Sequence, residues 1–278
     1  MDFKKKNMKI IIFGAAGSIG YYLAKKYLKD DHEILLFVKN KKSKEKLSKL
    51  LNLKTLKNVI IDYLDVKKKN SIIKKIDKYA FFFKKTNLII NAIGDLGEIK
   101  NILSLDLNKF KKTLNINFFS NLIIIQKILK LRKNKKRLSI ILFSGGGVTN
   151  YRKNFSAYSI SKIALVKLVE IISKEINNKL IQINAIAPGI IKSKMIDITL
   201  KNKNLVAKEE IRKIKQQAAY SNKTLIKLYK VINFLMSEKA KKISGKLISS
   251  KWDNIENWKK KKIDNLIKSE LYSIRRVQ

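Results

Sequence analysis

Short apolar runs punctuate this chain, and stretches of helical spacing separate them. Met8–Phe13, Ile34–Val38, Val59–Ile61, Leu88–Ile90, Leu138–Phe143 and Ile181–Ile186 are such runs, and a shorter mixed one, Lys246–Ser250, closes the series. A strand that is apolar at nearly every position has both faces covered, which marks a parallel sheet rather than an antiparallel one with a wet face. Tyr21–Lys29, Lys41–Leu53, Ser71–Phe82, Phe110–Leu131 and Ala157–Ile176 have the spacing of amphipathic helices that supply the covers. The alternation predicts an α/β fold, a doubly wound parallel sheet in a single domain. There is no internal repeat and no interdomain linker. Residues 1–7 read as a basic N-terminal extension, 8–253 as the domain, and 254–278 as a basic, Trp-containing tail.

Composition narrows the function classes. The chain of 278 residues has no cysteine and one histidine, which excludes a disulfide scaffold and a thiolate or His-cluster metal site. His32, just before the second strand, is expected at the surface. The formal net charge of +42 invites a nucleic-acid reading. Only six of the 63 basic residues are arginine, however, and the lysines are spread along the chain among Ile, Leu and Asn, as A/T-rich coding produces. Most of this charge is therefore read as solvated surface, with no nucleic-acid partner. No stretch reaches the roughly 18 apolar residues of a membrane span. The apolar run after MDFKKKN is too short for a signal-peptide core, so a cytoplasmic protein without a membrane partner is expected.

Two motifs carry chemistry. The first strand runs into Gly14-Ala15-Ala16-Gly17-Ser18-Ile19-Gly20 and then a helix. This is the context of a dinucleotide fingerprint, with a pyrophosphate at the helix N-terminus. The second is Tyr158 with Lys162, four apart on one helix face, where an ammonium favours the phenolate and makes a general acid/base for carbonyl or alcohol chemistry. Spacing alone does not select this pair, because Tyr21, Tyr22 and Tyr63 also have Lys four residues on. Only Tyr158 follows the fifth strand at a helix start, where ligands gather at the ends of parallel strands.

With these residues the chain resembles the short-chain dehydrogenase/reductase family over about 8–253. Gly14–Gly20 is similar to its glycine motif and Asp65-Val66 to the adenine-contacting position. Asn91-Ala92-Ile93-Gly94 resembles the Asn-Asn-Ala-Gly motif with its second Asn lost. Asn117 matches the helix Asn of the proton relay, Tyr158-Ser159-Ile160-Ser161-Lys162 the Tyr-x-x-Ser-Lys pattern, and Pro188–Met195 the Pro-Gly loop. The chain's single proline, Pro188, falls in that loop.

The resemblance implies an NAD(P)-dependent oxidoreductase moving a hydride between nicotinamide and a small-molecule carbonyl or alcohol, a sugar or acyl derivative among them. Tyr158, Lys162, Ser144 and Asn117 are the implied catalytic set. Strict family register puts the catalytic serine at Gly145; Ser144, the nearest hydroxyl, is given the role. Cofactor binding is implied for Gly14, Ala16, Gly17, Ser18, Ile19 and Gly20 of the first loop. It is implied also for Lys39, Asp65, Val66, Asn91, Ala92, Ile93 and Gly94. Tyr158, Lys162, Pro188, Gly189, Ile191 and Ser193 complete that set, with Ser193 toward the nicotinamide amide.

The second strand ends Phe37-Val38-Lys39-Asn40 without the acid that binds a ribose 2′-hydroxyl, so NADP(H) is expected over NAD(H). Residues 193–220 are implied as a substrate lid whose lysines suit an anionic substrate or only reflect composition. A homodimer or homotetramer on the long helices is implied. Three other readings stay open. The glycine spacing suits an extended-type sugar-nucleotide epimerase or dehydratase with retained NAD. The displaced serine suits a non-catalytic dinucleotide-binding regulator, and the charge suits a nucleic-acid-binding protein.

Overall fold

The computed structural model describes residues 7–52, 58–132, 136–176 and 180–275. The first six residues of the basic N-terminal extension, the expected helix end at Leu53 and the last three residues of the tail lie outside them. Among the described residues, seven parallel strands form one sheet in the order β3-β2-β1-β4-β5-β6-β7. They are β1 Lys9–Phe13, β2 Glu33–Val38, β3 Val59–Tyr63, β4 Leu88–Asn91, β5 Leu138–Phe143, β6 Ile181–Ala187 and β7 Leu247–Ser249. The order reverses between β1 and β4, which pair in register from Ile10↔Leu88 to Phe13↔Asn91. Their carboxyl ends therefore frame the crevice where such sheets bind ligands.

The period of two along each strand sorts the core. Ile10 and Ile12 of β1, with Ile34, Leu36, Leu88 and Ile90, face one layer, while Ile11, Phe13, Leu35, Phe37 and Ile89 face the other. The first layer holds helices α1 Ser18–Lys29, α2 Lys41–Leu50, α10 Ser221–Met236 and α11 Lys260–Lys268. The second holds α3 Lys69–Lys78, α4 Ala80–Lys85, α5 Leu107–Leu114, α6 Ser120–Leu131 and α7 Ser156–Glu175. Helices α8 Lys194–Lys201 and α9 Lys208–Ala218 follow β6 and occupy the expected lid segment.

Several expectations are refined. The first helix begins at Ser18 rather than Tyr21, because Gly17 is extended (φ −78°, ψ 164°) and already serves as its N-cap. The stretch predicted as one helix over Ser71–Phe82 is two, divided at Tyr79, whose backbone (φ −108°, ψ 25°) leaves the helical region. The long helix predicted from Phe110 begins at Leu107. There the Asp106 carboxylate accepts from the N–H groups of Asn108 and Lys109. His32 is buried rather than exposed, with its ring 5.9 Å from that of Tyr27 and its Nδ1 accepting from Met8 N. At the C-terminus Ile255, Trp258, Ile263 and Leu266 are buried in the first layer, and Trp258 packs edge-on against Phe234 of α10.

Candidate active site

The glycine loop lies at the end of β1, with β4 beside it. Gly14 has φ +74°, and a Cβ there would sit 2.8 Å from the Ala92 carbonyl oxygen. A Cβ on Gly20 would collide with the Gly14 carbonyl oxygen. The fold itself requires both glycines. Gly17 is different, since the nearest atom to a Cβ there, Gly14 O, is 3.3 Å away. A Cβ there would make a tight contact with that one atom rather than a collision, and would fill the concave face of the loop. Helix α1 starts with no side-chain cap and no acid in its first turn, so its positive end faces the crevice unneutralised. At the end of β4, Asn91 Oδ1 accepts from Ile93 N, while its buried Nδ2 has no hydrogen-bond partner among the described residues. An uncapped helix end, a cradle at Gly17 and an orphaned buried donor together fit a dinucleotide.

Other expected cofactor contacts follow the carboxyl ends of β2, β3 and β6. Asp65 and Val66 follow β3, where Asp65 Oδ1 accepts from Lys67 N. Lys39 is exposed just beyond β2, and Asn40 caps α2 by accepting from Ser43 N. An open cleft of about 600 Å³ lies beside that cap, lined by Lys41, Lys44, Glu45, Ser48, Lys49 and Tyr63. Pro188 and Gly189 (φ +78°) follow β6, Ile191 is buried, and Ser193 is the N-cap residue of α8.

Tyr158 and Lys162 occupy the first turns of α7, buried at the carboxyl edge of the sheet. The Lys162 Nζ lies 5.8 Å from the Tyr158 ring centroid and donates to the carbonyl oxygen of Phe143, the last residue of β5. Gly94 faces this ammonium: a Cβ there would be 3.8 Å from Lys162 Nζ and 3.0 Å from Met195 Cε of α8. Asn117 is wholly buried and ties three segments together. Its Nδ2 donates to Asp95 O and to Ser161 Oγ, its Oδ1 accepts from Asp95 N, and Ser161 Oγ in turn donates to Tyr158 O. Asn117 lies in a π-helical turn, Asn115–Phe119, that joins α5 to α6. Its main-chain carbonyl accepts from Asn121 Nδ2, so a wider turn and a side chain replace the ordinary helical pairing there.

The serine position takes an unexpected form. A Cβ on Gly145 would collide with the Tyr158 hydroxyl, so the bare backbone of Gly145 is what faces that oxygen. Ser144 donates its N–H to Ile186 O, and its buried Oγ has no hydrogen-bond partner among the described residues. The structure brings Tyr158, Lys162, Asn117 and Gly94 together, and it does not hydrogen-bond Ser144 to Tyr158.

Burial dominates the local electrostatics. It pushes the Tyr158 phenol up, and the nearby Arg152 guanidinium partly opposes this. Burial pushes the Lys162 ammonium down to about 8. Arg152 stacks on Phe155, with its guanidinium carbon 3.5 Å from that ring centroid and 5.6 Å from the Tyr158 centroid. Sequence reasoning passed over Ser161, although it stands inside the Tyr-x-x-Ser-Lys pattern. It passed over Arg152 too, whose signal was an arginine in a lysine-dominated chain. Among the described residues, no three metal-ligating side chains cluster and no helix is long and apolar enough to cross a membrane.

A family model described as enoyl-(acyl carrier protein) reductase matches residues 14–250. A 3-oxoacyl-(acyl-carrier-protein) reductase of Rickettsia typhi is 30% identical over 200 residues, covering 71% of this chain and 77% of that protein. The protein of the same name from Buchnera aphidicola is 27% identical over 211 residues, covering 73% of this chain and 80% of its own. Among solved structures, a short chain dehydrogenase from Shigella flexneri complexed with NADP has a TM-score of 0.74 at 18% identity, covering 88% of this chain and 98% of that one. This last likeness is one of fold.

Proposed function

The chain belongs to the short-chain dehydrogenase/reductase family, and from that membership we propose that Tyr158 and Lys162 perform its NAD(P)-dependent carbonyl/alcohol oxidoreduction, with NADP(H) preferred. The observation that carries this reading is the buried Tyr158–Lys162 pair beside Gly94, at the carboxyl edge of a sheet whose glycine loop fits a dinucleotide.

When bound, the cofactor supplies or takes the hydride. The glycine loop, the N-terminus of α1 and Asn91 would hold it. Tyr158 exchanges a proton with the substrate oxygen, and the positive charge of Lys162 favours the phenolate that remains. Asn117 keeps the Gly94–Asp95 turn against α7, so that the floor of the site does not drift from Tyr158. In place of the serine register position, Gly145 gives the Tyr158 hydroxyl room, and Ser144 remains a candidate donor to the substrate oxygen.

The preference for NADP(H) is supported by β2, which ends without an acid, and by Lys39, Lys41 and Lys44 around the end of that strand. A homo-oligomer on the long helices is supported by the exposed Phe119 and by Ile160, Ile163 and Ile171, which share an exposed face of α7 with Lys167. The test of the main reading is Tyr158→Phe. It is expected to abolish carbonyl-dependent NADPH oxidation while NADPH still binds, measured by fluorescence titration. Wild-type turnover in that variant refutes the assignment, and a tighter complex with NADH than with NADPH refutes the preference.

A further inference from the structure

Arginine is rare in this chain, six of 63 basic residues, and the buried and half-buried ones use the fork that lysine lacks. Arg132 donates to the carbonyls of Phe83, Lys84, Thr86 and Lys136. Arg137 donates to those of Leu235, Met236 and Ser237. Arg152 is of this kind and stands beside Tyr158. Its Nε and Nη2 both donate to Glu210 Oε1 of α9, at 2.9 and 2.6 Å. The Arg152 side chain is 13% exposed and that of Glu210 is 26%. A second tie runs alongside, where Asn154 Nδ2 donates to Leu205 O. The lid is thus fastened to the loop before α7, and the cation nearest the Tyr158 ring on that side is already neutralised.

On the lid side, the side chains clustered with Tyr158 are apolar, while Lys162 lies on the side of the sheet. A third core cluster, separate from the two on the sheet faces, joins Tyr158 and Phe155 to Leu96, Ile99 and Val206. Met195, Ile198 and Ile211 of the lid pack against it. Lys192, Lys194, Lys201 and Lys203 are all exposed, so the lid turns its charge to solvent and its apolar side to the tyrosine.

We propose that the substrate is an uncharged carbonyl compound with an apolar body, and that the Arg152–Glu210 pair discriminates against anionic carbonyls. This rests on the reading of Tyr158 as the group that exchanges a proton with the substrate oxygen. Admitting a ligand beside Tyr158 parts the lid residues from their neighbours, and only an apolar body restores the burial they lose. The hydroxyls of a polyol would face Leu96, Ile99, Ile198 and Val206 with no partners, which is costly in a closed site. An anion would find Arg152 already held by Glu210, and drawing the guanidinium away would leave the Glu210 carboxylate unpaired beside it.

The experiment compares methyl hexyl ketone, the oxo acid that carries a carboxylate in place of its terminal methyl, and fructose, each with NADPH. The wild-type kcat/KM for the alkyl ketone is expected to exceed the other two by ~100-fold. Glu210→Gln frees Arg152 and is expected to narrow the ratio between ketone and oxo acid at least about tenfold. A wild-type preference for the oxo acid or for fructose, or an unchanged ratio in Glu210→Gln, overturns this inference alone. Absence of any carbonyl-dependent NADPH oxidation that Tyr158→Phe removes overturns it together with the proposed function.

Discussion

Burial of an ammonium costs stability, and Lys162, buried beside the Tyr158 phenol, makes that cost measurable. Its ammonium is pushed from 10.5 down to about 8. Between those values the unfolded chain holds more protons than the folded one, so stability rises with pH across that window and is lowest below it. Lys162→Met is therefore expected to abolish turnover and to raise stability at pH 7 by on the order of 2–3 kcal/mol. The gain should shrink toward pH 10, as urea unfolding at the two pH values will read. Gly145 tests the other side of the same site. If this glycine were only a lost serine, Gly145→Ser would raise kcat. The collision of a Cβ with the Tyr158 hydroxyl predicts the reverse, a loss of ~10–100-fold with the fold retained, read by steady-state kinetics and thermal melting.

Among the elements, β1, its turn and α1 separate structural from functional glycine. Gly20→Ala places a methyl against the Gly14 carbonyl and is expected to lower the melting temperature markedly. Gly17→Ala makes one tight contact, 3.3 Å to the Gly14 carbonyl oxygen, and is expected to lower the melting temperature less than Gly20→Ala while weakening NADPH binding about tenfold or more. Titration of both variants beside their melting curves checks the split. The α5–α6 stretch illustrates what periodicity hides. Its apolar spacing reads as one helix, and the backbone is indeed continuous from Leu107 to Leu131. The π turn at Asn115–Phe119 is set by the bonds of Asn117 to Asp95 and Ser161, partners 22 and 44 residues away. No local pattern announces them.

Across the whole molecule, the parallel sheet and its two covered faces were legible from the alternation of apolar runs, because a strand buried on two sides has no polar positions to spare, whereas the strand order came from the tertiary structure. The net charge of +42 had no such architectural content, and the lid lysines bear this out by pointing to solvent. The exposed face of α7 that carries Ile160, Ile163 and Ile171 belongs to this scale. Ile163→Lys, set between Ile160 and Ile171, is expected to convert the proposed oligomer to monomer by light scattering while the monomer stays folded. An unchanged mass would remove α7 from the interface.

What the sequence determined alone was the fold and the order in which the motifs reach the strand ends, since both follow from periodicity and chain direction. Tyr…Lys spacing did not by itself single out Tyr158 and Lys162; their place after the fifth strand did. Lys26 Nζ lies 5.7 Å from the Tyr22 ring and Lys162 Nζ 5.8 Å from that of Tyr158, so two helical Tyr…Lys pairs share one local geometry. Only the tertiary structure buries the second pair beside Gly94. The tertiary structure alone also decided that Gly145 faces the hydroxyl, that Glu210 neutralises Arg152, and that the lid turns its apolar side inward. These depend on loop paths and on contacts between residues far apart in the chain, where helical and strand periods carry no information.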